Sequence, residues 1–259
     1  MEVLTPRSLE EALRLKAERP DAVPIQGGTD VMVDLNFDRA RPSALLNLNE
    51  VPELRGWARE NGSLRLRSGL TYTEAMGLAE PLRALAEASR TVGGPQIRNR
   101  GTIGGNLGTA SPAGDALPPL LVYRAEVELA SPRGSRSVPL SEFLVGPKRN
   151  TLEPDELIVA VRLAPPGPRQ TFMKVGPRNA MVIAVVSLAL VVDEDEVRAS
   201  FGSAGPVSGL VTAPLAERDE LPERVAAAAS PFDDVRGTAR YRRHALRILT
   251  ERALERCLA

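Results

Sequence analysis

The chain has 259 residues, 43% hydrophobic and 25% charged, an ordinary globular composition for one large domain or two modest ones. Thirty-three Lys and Arg balance 33 Asp and Glu, so no basic field gathers phosphates and nucleic acid is not an expected partner. One histidine, His244, and one cysteine, Cys257, exclude an internal disulfide, a zinc site rich in His and Cys, and an iron-sulfur cluster held by this chain alone. A Ser-His-Asp relay would have to use His244, which falls in a C-terminal helical pattern away from any exposed-serine turn.

Ser8-Leu9-Glu10-Glu11 has the spacing of a capping box and predicts an amphipathic helix through Leu9, Ala12 and Leu13. Residues 22–25 read as a short buried strand that runs into the turn Gln26-Gly27-Gly28-Thr29-Asp30, after which Val31 opens a helix-like element. Residues 45–48 and the alternating 64–67 predict strands, and 72–79 and 82–88 predict helices. The densest punctuation is Gly101-Thr102-Ile103-Gly104-Gly105-Asn106-Leu107-Gly108, followed by Ala110-Ser111-Pro112-Ala113-Gly114-Asp115 and an apolar run at 116–123. Strands at 125–129 and 157–161, with a turn at 131–134, suggest an antiparallel sheet, and Pro165-Pro166-Gly167-Pro168 reads as a linker. Residues 183–192 and 197–201 form a predicted hairpin around an acidic turn, and helices follow, the last with Tyr241, Ala245, Ile248, Leu249 and Ala253 on one face. The N-terminus lacks the pattern of a signal peptide, and the longest apolar run, 181–192, is interrupted by Ser187 and too short for a membrane span. A cytoplasmic location is expected.

Two double-glycine turns, Gly27-Gly28 and Gly104-Gly105, each follow an apolar stretch and precede small polar residues. Glycine permits positive φ and close backbone approach, so such turns can aim consecutive N–H groups at an anion without a lysine. The single-loop solutions, G-x-G-x-x-G and G-x-x-x-x-G-K-[ST], are missing, which disfavours Rossmann and P-loop readings. The plainer alternative is that both pairs are tight turns, with Ser111-Pro112 and Gly114-Asp115 as turn chemistry and a helix cap.

The segments Pro24-Ile25-Gln26-Gly27-Gly28-Thr29-Asp30-Val31, Thr102-Ile103-Gly104-Gly105-Asn106 and Ala110 to Asp115, with a Gly-Ser-Ala-Gly-Pro run at 202–206, resemble the FAD-binding subunit of the molybdenum hydroxylases, the family of xanthine dehydrogenase and carbon monoxide dehydrogenase medium subunits. The resemblance spans essentially the whole chain. It implies an α+β flavin fold of the vanillyl-alcohol-oxidase (PCMH) type over 1–165, with subdomains at about 1–56 and 57–165. A C-terminal domain at 169–259 would hold a three-stranded antiparallel sheet and helices. By resemblance, Pro24, Ile25, Gln26, Gly27, Gly28, Thr29, Asp30 and Val31 surround the diphosphate of FAD, Thr102, Ile103, Gly104, Gly105 and Asn106 form a second loop along it, and Ser111 and Asp115 belong to the same site, Asp115 hydrogen-bonding the cofactor. Val92, Leu157 and Lys174 match further FAD-touching positions. Lys174 would bring positive charge to the flavin, the alternative being a solvated surface lysine.

His244 and Cys257 match no attachment motif, so FAD is expected to be non-covalent, and one cysteine excludes the branch of the family that carries an extra cluster on this subunit. The resemblance further implies a molybdenum cofactor on a large molybdopterin subunit and two [2Fe-2S] clusters on a small subunit. Electrons would arrive singly at this FAD and leave to NAD, a quinone or oxygen. The rival readings are a free-standing FAD oxidase, for which Asp30, Asp115 and Tyr72 are the available acid-base groups, and an assembly subunit that has lost FAD.

Overall fold

Three short strands, Glu2–Leu4, Val23–Ile25 and Ala44–Asn47, form a parallel sheet in the computed structural model, which describes all of residues 1–259, with Ala44–Asn47 in the centre. The helix Leu9–Glu18 joins the first two strands. Its capping box is half formed: Ser8 Oγ accepts from Glu11 N at 3.2 Å, whereas the Glu11 carboxylate accepts from Arg7 N at 2.8 Å. Val23–Ile25 ends at the first glycine turn, and the helix Val31–Asn36 beyond it buries none of its side chains.

The second sheet is antiparallel, in the order Trp57–Glu60, Ser63–Arg67, Leu157–Leu163, Glu126–Ser131, Gly134–Pro139. Leu64 and Leu66 point into the core, while Arg65, on the other face, meets Glu128 at 2.7 Å and Glu128 also meets Arg162 at 2.8 Å. Helices Arg83–Thr91, Ile103–Thr109 and Leu117–Val122 cover the inner face around the largest apolar core. The prolines at 118 and 119 do not prevent the last of these helices, since its first turn needs no N–H partner there.

The C-terminal sheet has four strands rather than the expected three: Gln170–Val175, Val186–Val192, Glu196–Gly202 and Gly209–Pro214, in sequential antiparallel order. Gln170–Val175 lacks strand-like alternation because its polar residues are satisfied by the helix Arg83–Thr91 packed along it. Gln170 Oε1 accepts from Ala84 N at 3.1 Å and from the Tyr123 hydroxyl at 2.5 Å. The Glu87 carboxylate accepts from Phe172 N and Thr171 Oγ1, and Lys174 Nζ donates to Thr91 O at the other end of the helix. Phe172, Ala189 and Val191 consequently belong to the same core as the second sheet.

The helix Ala239–Leu258 covers the outer face of this sheet through Ala245, Leu246, Leu249 and Ala253. Tyr241, expected on that face, is exposed, and Arg242 is buried instead. The reason is polar: Arg242 donates to Ser203 O at 2.6 Å and pairs with Asp234 at 2.5 Å. No helix is long and apolar enough to cross a membrane.

Candidate functional site

A cleft of about 290 Å³ lies between the turn that leaves Val23–Ile25 and the helix Ile103–Thr109. Residues 23–31, Thr102, Gly104, Gly105 and Asn106 line it together with Leu48, Leu152, Leu157 and Ile158, and no lysine or arginine does. On the first wall, the N–H groups of Gly27, Gly28, Thr29 and Asp30 have no partner within the chain. Gly28 has φ +73°, and a Cβ on Gly27 would overlap the Arg100 carbonyl, so both positions require glycine. Four consecutive free donors in a tight turn form a concavity suited to an anion.

The second wall differs from expectation. Gly104-Gly105 is not a free turn but the first turn of a helix, capped by Thr102, whose Oγ1 accepts from Gly105 N at 3.0 Å. Its donors are already occupied: Ile103 N donates to Leu70 O at 2.9 Å and Gly104 N to Ser68 O at 2.7 Å. Gly104 is small because the strand end presses on it, a Cβ there falling 2.5 Å from Ser68 Cβ. Gly105 and Gly108 are exposed, and a Cβ on either would meet only Thr102 Oγ1 at 3.1 Å or Ile158 Cδ1 at 3.8 Å. This wall therefore contributes a bare surface for close approach, while the donors come from the first wall. Two polar atoms beside it, Ser68 Oγ and Asn106 Oδ1, are buried without a partner.

The walls are tied together. Thr109 Oγ1 donates to Asp30 Oδ2 at 2.9 Å, and Arg100 reaches from behind to Gln26 O at 3.1 Å and Asn49 Oδ1 at 3.3 Å. Of the two acidic residues on the cleft, Asp30 is engaged by Thr109, and Glu156 is held by both guanidinium arms of Arg136 at 2.7 Å, which keeps its carboxyl below the usual range.

Residues 1–166 match the family described as the FAD binding domain in molybdopterin dehydrogenase. The chain belongs to this family. Over 97% of its length it is 32% identical to the xanthine dehydrogenase FAD-binding subunit of Escherichia coli O157:H7, covering 94% of that protein. It is 34% identical to the nicotinate dehydrogenase FAD-subunit of Eubacterium barkeri over 75% of this chain and 69% of that one. Its fold superposes on a chain of the carbon monoxide dehydrogenase of Hydrogenophaga pseudoflava with a TM-score of 0.92 at 24% identity, covering 100% of this chain and 97% of that chain. The protein is thus an oxidoreductase component of the PCMH-type flavoprotein fold, the FAD-binding subunit type of the molybdenum-hydroxylase dehydrogenases.

Five of the residues singled out in this flavoprotein sequence do not line the cleft. Ile103 is a core side chain beneath the capped helix, and Val92 packs half-buried on the same core. Ser111 Oγ accepts from Ala113 N at 3.3 Å, which is turn chemistry. Asp115 and Lys174 form an ion pair at 2.6 Å with both side chains more than nine-tenths buried, so Lys174 is not a solvated surface lysine. Burial raises the Asp115 carboxyl above its ordinary value and the Lys174 ammonium opposes the rise, while Asp115 Oδ1 is left without a partner. Residues that line the cleft but were not singled out as ligands include Ser68, Tyr72, Gly108 and Thr109. Gly108 and Thr109 had a signal, since they continue the same glycine run on one helix face; Ser68 had none, being placed by strand pairing. Burial first, and then the charges of Asp115 and Asp30, pushes the Tyr72 hydroxyl above its ordinary value.

Proposed function

We propose that this chain binds FAD non-covalently in the cleft and serves as the electron-transfer flavoprotein of a molybdenum hydroxylase. It would take electrons from a [2Fe-2S] subunit and pass them to NAD, a quinone or oxygen, with the molybdopterin cofactor on a separate large subunit. The observation that carries this reading is the pairing of four free N–H donors at 27–30 with the bare surface of Gly105 and Gly108, next to the unpartnered Ser68 and Asn106. In the bound state the turn 26–30 donates to the diphosphate, Thr102 to Asn106 lies along it, and Val31 and Leu157 contribute apolar contact. FAD supplies the exchange between one-electron arrival and two-electron delivery. The chain's own residues would bind and orient the group and exclude water; Asp115 and Lys174, paired with each other, and Val92 do not line the cleft and belong to the site only by resemblance. The division of the chain at 165–169, and of its first part near 56, belongs to the same proposal, as does a cytoplasmic location.

A free-standing oxidase needs a poised acid or base, and of the three available groups two are buried and one is exposed with a single hydrogen-bond partner. Asp30 accepts from Thr109, Asp115 is paired with Lys174, and Tyr72 is held protonated by burial. His244 and Cys257, the residue types that attach flavins covalently, both lie on the helix Ala239–Leu258 and not on the cleft.

The test is the visible spectrum of the purified protein before and after acid precipitation. The expected result is a yellow protein whose flavin is released to the supernatant and which turns over no substrate until the cluster and molybdenum subunits are added. Flavin that stays with the pellet, or turnover by the chain alone, contradicts the proposal.

A further inference from the structure

We propose that Tyr72 completes the diphosphate site, its phenol hydroxyl donating to a phosphate oxygen of FAD from the second wall of the cleft. The inference rests on the functional reading above and adds to it a residue outside the set implied by resemblance.

Five hydroxyl side chains line the cleft: Thr29, Ser68, Tyr72, Thr102 and Thr109. Thr29 and Thr102 belong to the walls already described, Thr109 Oγ1 is engaged by Asp30 at 2.9 Å, and Ser68 Oγ is itself fully buried. Tyr72 differs from the others. It is the one aromatic residue on the cleft and only 5% exposed, yet its hydroxyl has no partner within the chain and is not sealed off from the cleft. A tyrosine hydroxyl enclosed to this degree ordinarily has a hydrogen-bond partner, so an unpartnered one on a binding cleft points to a ligand.

Local structure holds the ring against the start of the second wall. Thr71 and Glu74 form a complete capping box around the helix Tyr72–Ala75, and Thr71 bridges to Thr102. Tyr72 N donates to Gly101 O at 3.1 Å, and a Cβ on Gly101 would lie 3.1 Å from Tyr72 Cδ2 and Cε2, so the absence of a side chain there leaves room for the ring. On this wall every backbone N–H from Ile103 to Asn106 is already engaged. The cleft carries no lysine or arginine, and two carboxylates, Asp30 and Glu156, lie on it. A diphosphate therefore needs neutral donors, and those of the turn 26–30 all come from one side. The phenol provides one on the other. Burial, with the charges of Asp115 and Asp30 acting in the same direction, keeps the proton on its oxygen, so at neutral pH it donates and brings no further negative charge.

The experiment compares the wild type with Tyr72→Phe in three measurements: calorimetric titration of the FAD-free chain with FAD, urea unfolding of the FAD-free chain, and phosphorus NMR with visible absorption at saturating FAD. Tyr72→Phe keeps the ring against Gly101 and removes only an oxygen that has no partner in the chain, so the urea midpoint is expected to stay at or slightly above that of the wild type. FAD affinity is expected to fall at least about tenfold, the lower end for a hydrogen bond to a charged acceptor. The diphosphate resonances of bound FAD should shift while the flavin absorption bands keep their positions. Wild-type FAD affinity in Tyr72→Phe overturns the proposal. So do unchanged phosphorus resonances with displaced flavin bands, which would put the hydroxyl at the flavin ring, and so does a lowered urea midpoint, which would show that it serves the fold. Each of these outcomes leaves the cleft reading intact, whereas a wild-type chain that binds no FAD overturns both.

Discussion

Gly105→Val is expected to abolish FAD binding, by at least about a hundredfold (about 2.7 kcal/mol), while the protein still folds. At Gly105 the added side chain meets only the Thr102 hydroxyl, at 3.1 Å, and otherwise projects into the cleft where the diphosphate approaches. The adjacent glycine separates two explanations that sequence alone merges. A Cβ on Gly104 would press on Ser68 Cβ at 2.5 Å and Ser68 O at 2.7 Å, so Gly104→Ala should lower stability by about 1–3 kcal/mol through overpacking. Flavin titration beside urea unfolding resolves the pair: Gly105→Val shifts the first and Gly104→Ala the second. Stoichiometric FAD in Gly105→Val would remove the second wall from the site.

Lys174→Met is expected to cost about 3–5 kcal/mol at neutral pH, because it strands the Asp115 carboxylate in an apolar setting with no counter-charge. Burial already raises this carboxyl above its ordinary 3.8, and loss of the ammonium raises it further. A carboxyl whose folded pKa exceeds its unfolded one takes up a proton on folding. The stability it confers is present at low pH and is lost as pH rises through the unfolded value toward the folded one. The deficit of Lys174→Met relative to the wild type is therefore largest near neutrality and shrinks on acidification. Lys174→Met combined with Asp115→Asn should recover much of the loss at pH 7, since neither charge then remains buried alone. Urea unfolding of the three proteins across pH checks this; a deficit that grows on acidification would show that Asp115 is not the group responsible.

Glycine spacing made the first wall of the cleft legible, because the turn after Val23–Ile25 uses local backbone freedom and its donors stay free. At Gly104-Gly105 the same residue type meant something else. The acceptors that occupy its N–H groups, Ser68 O and Leu70 O, come from a strand end over thirty residues away, and nothing in the local spacing announces that pairing. Lys174 illustrates the same limit: in sequence it sits in a mixed polar strand, and only the approach of Asp115 explains why it is buried. The fourth C-terminal strand was hidden because Gln170 and Thr171 are satisfied by Ala84, Tyr123 and Glu87, at least 47 residues away in sequence. Local pattern reported the elements whose partners are neighbours and missed those completed from afar.

The central claim is that a dinucleotide is gripped by backbone donors and bare glycine surface, with no cationic side chain on the cleft. Calorimetric titration of the FAD-free chain with FAD, at 50 mM and again at 500 mM KCl, tests it most directly. The account predicts one FAD per chain with an affinity that changes less than about tenfold over this range, since no Lys or Arg phosphate contact is lost to screening. Failure to bind FAD, or an affinity that collapses as salt rises, would contradict it.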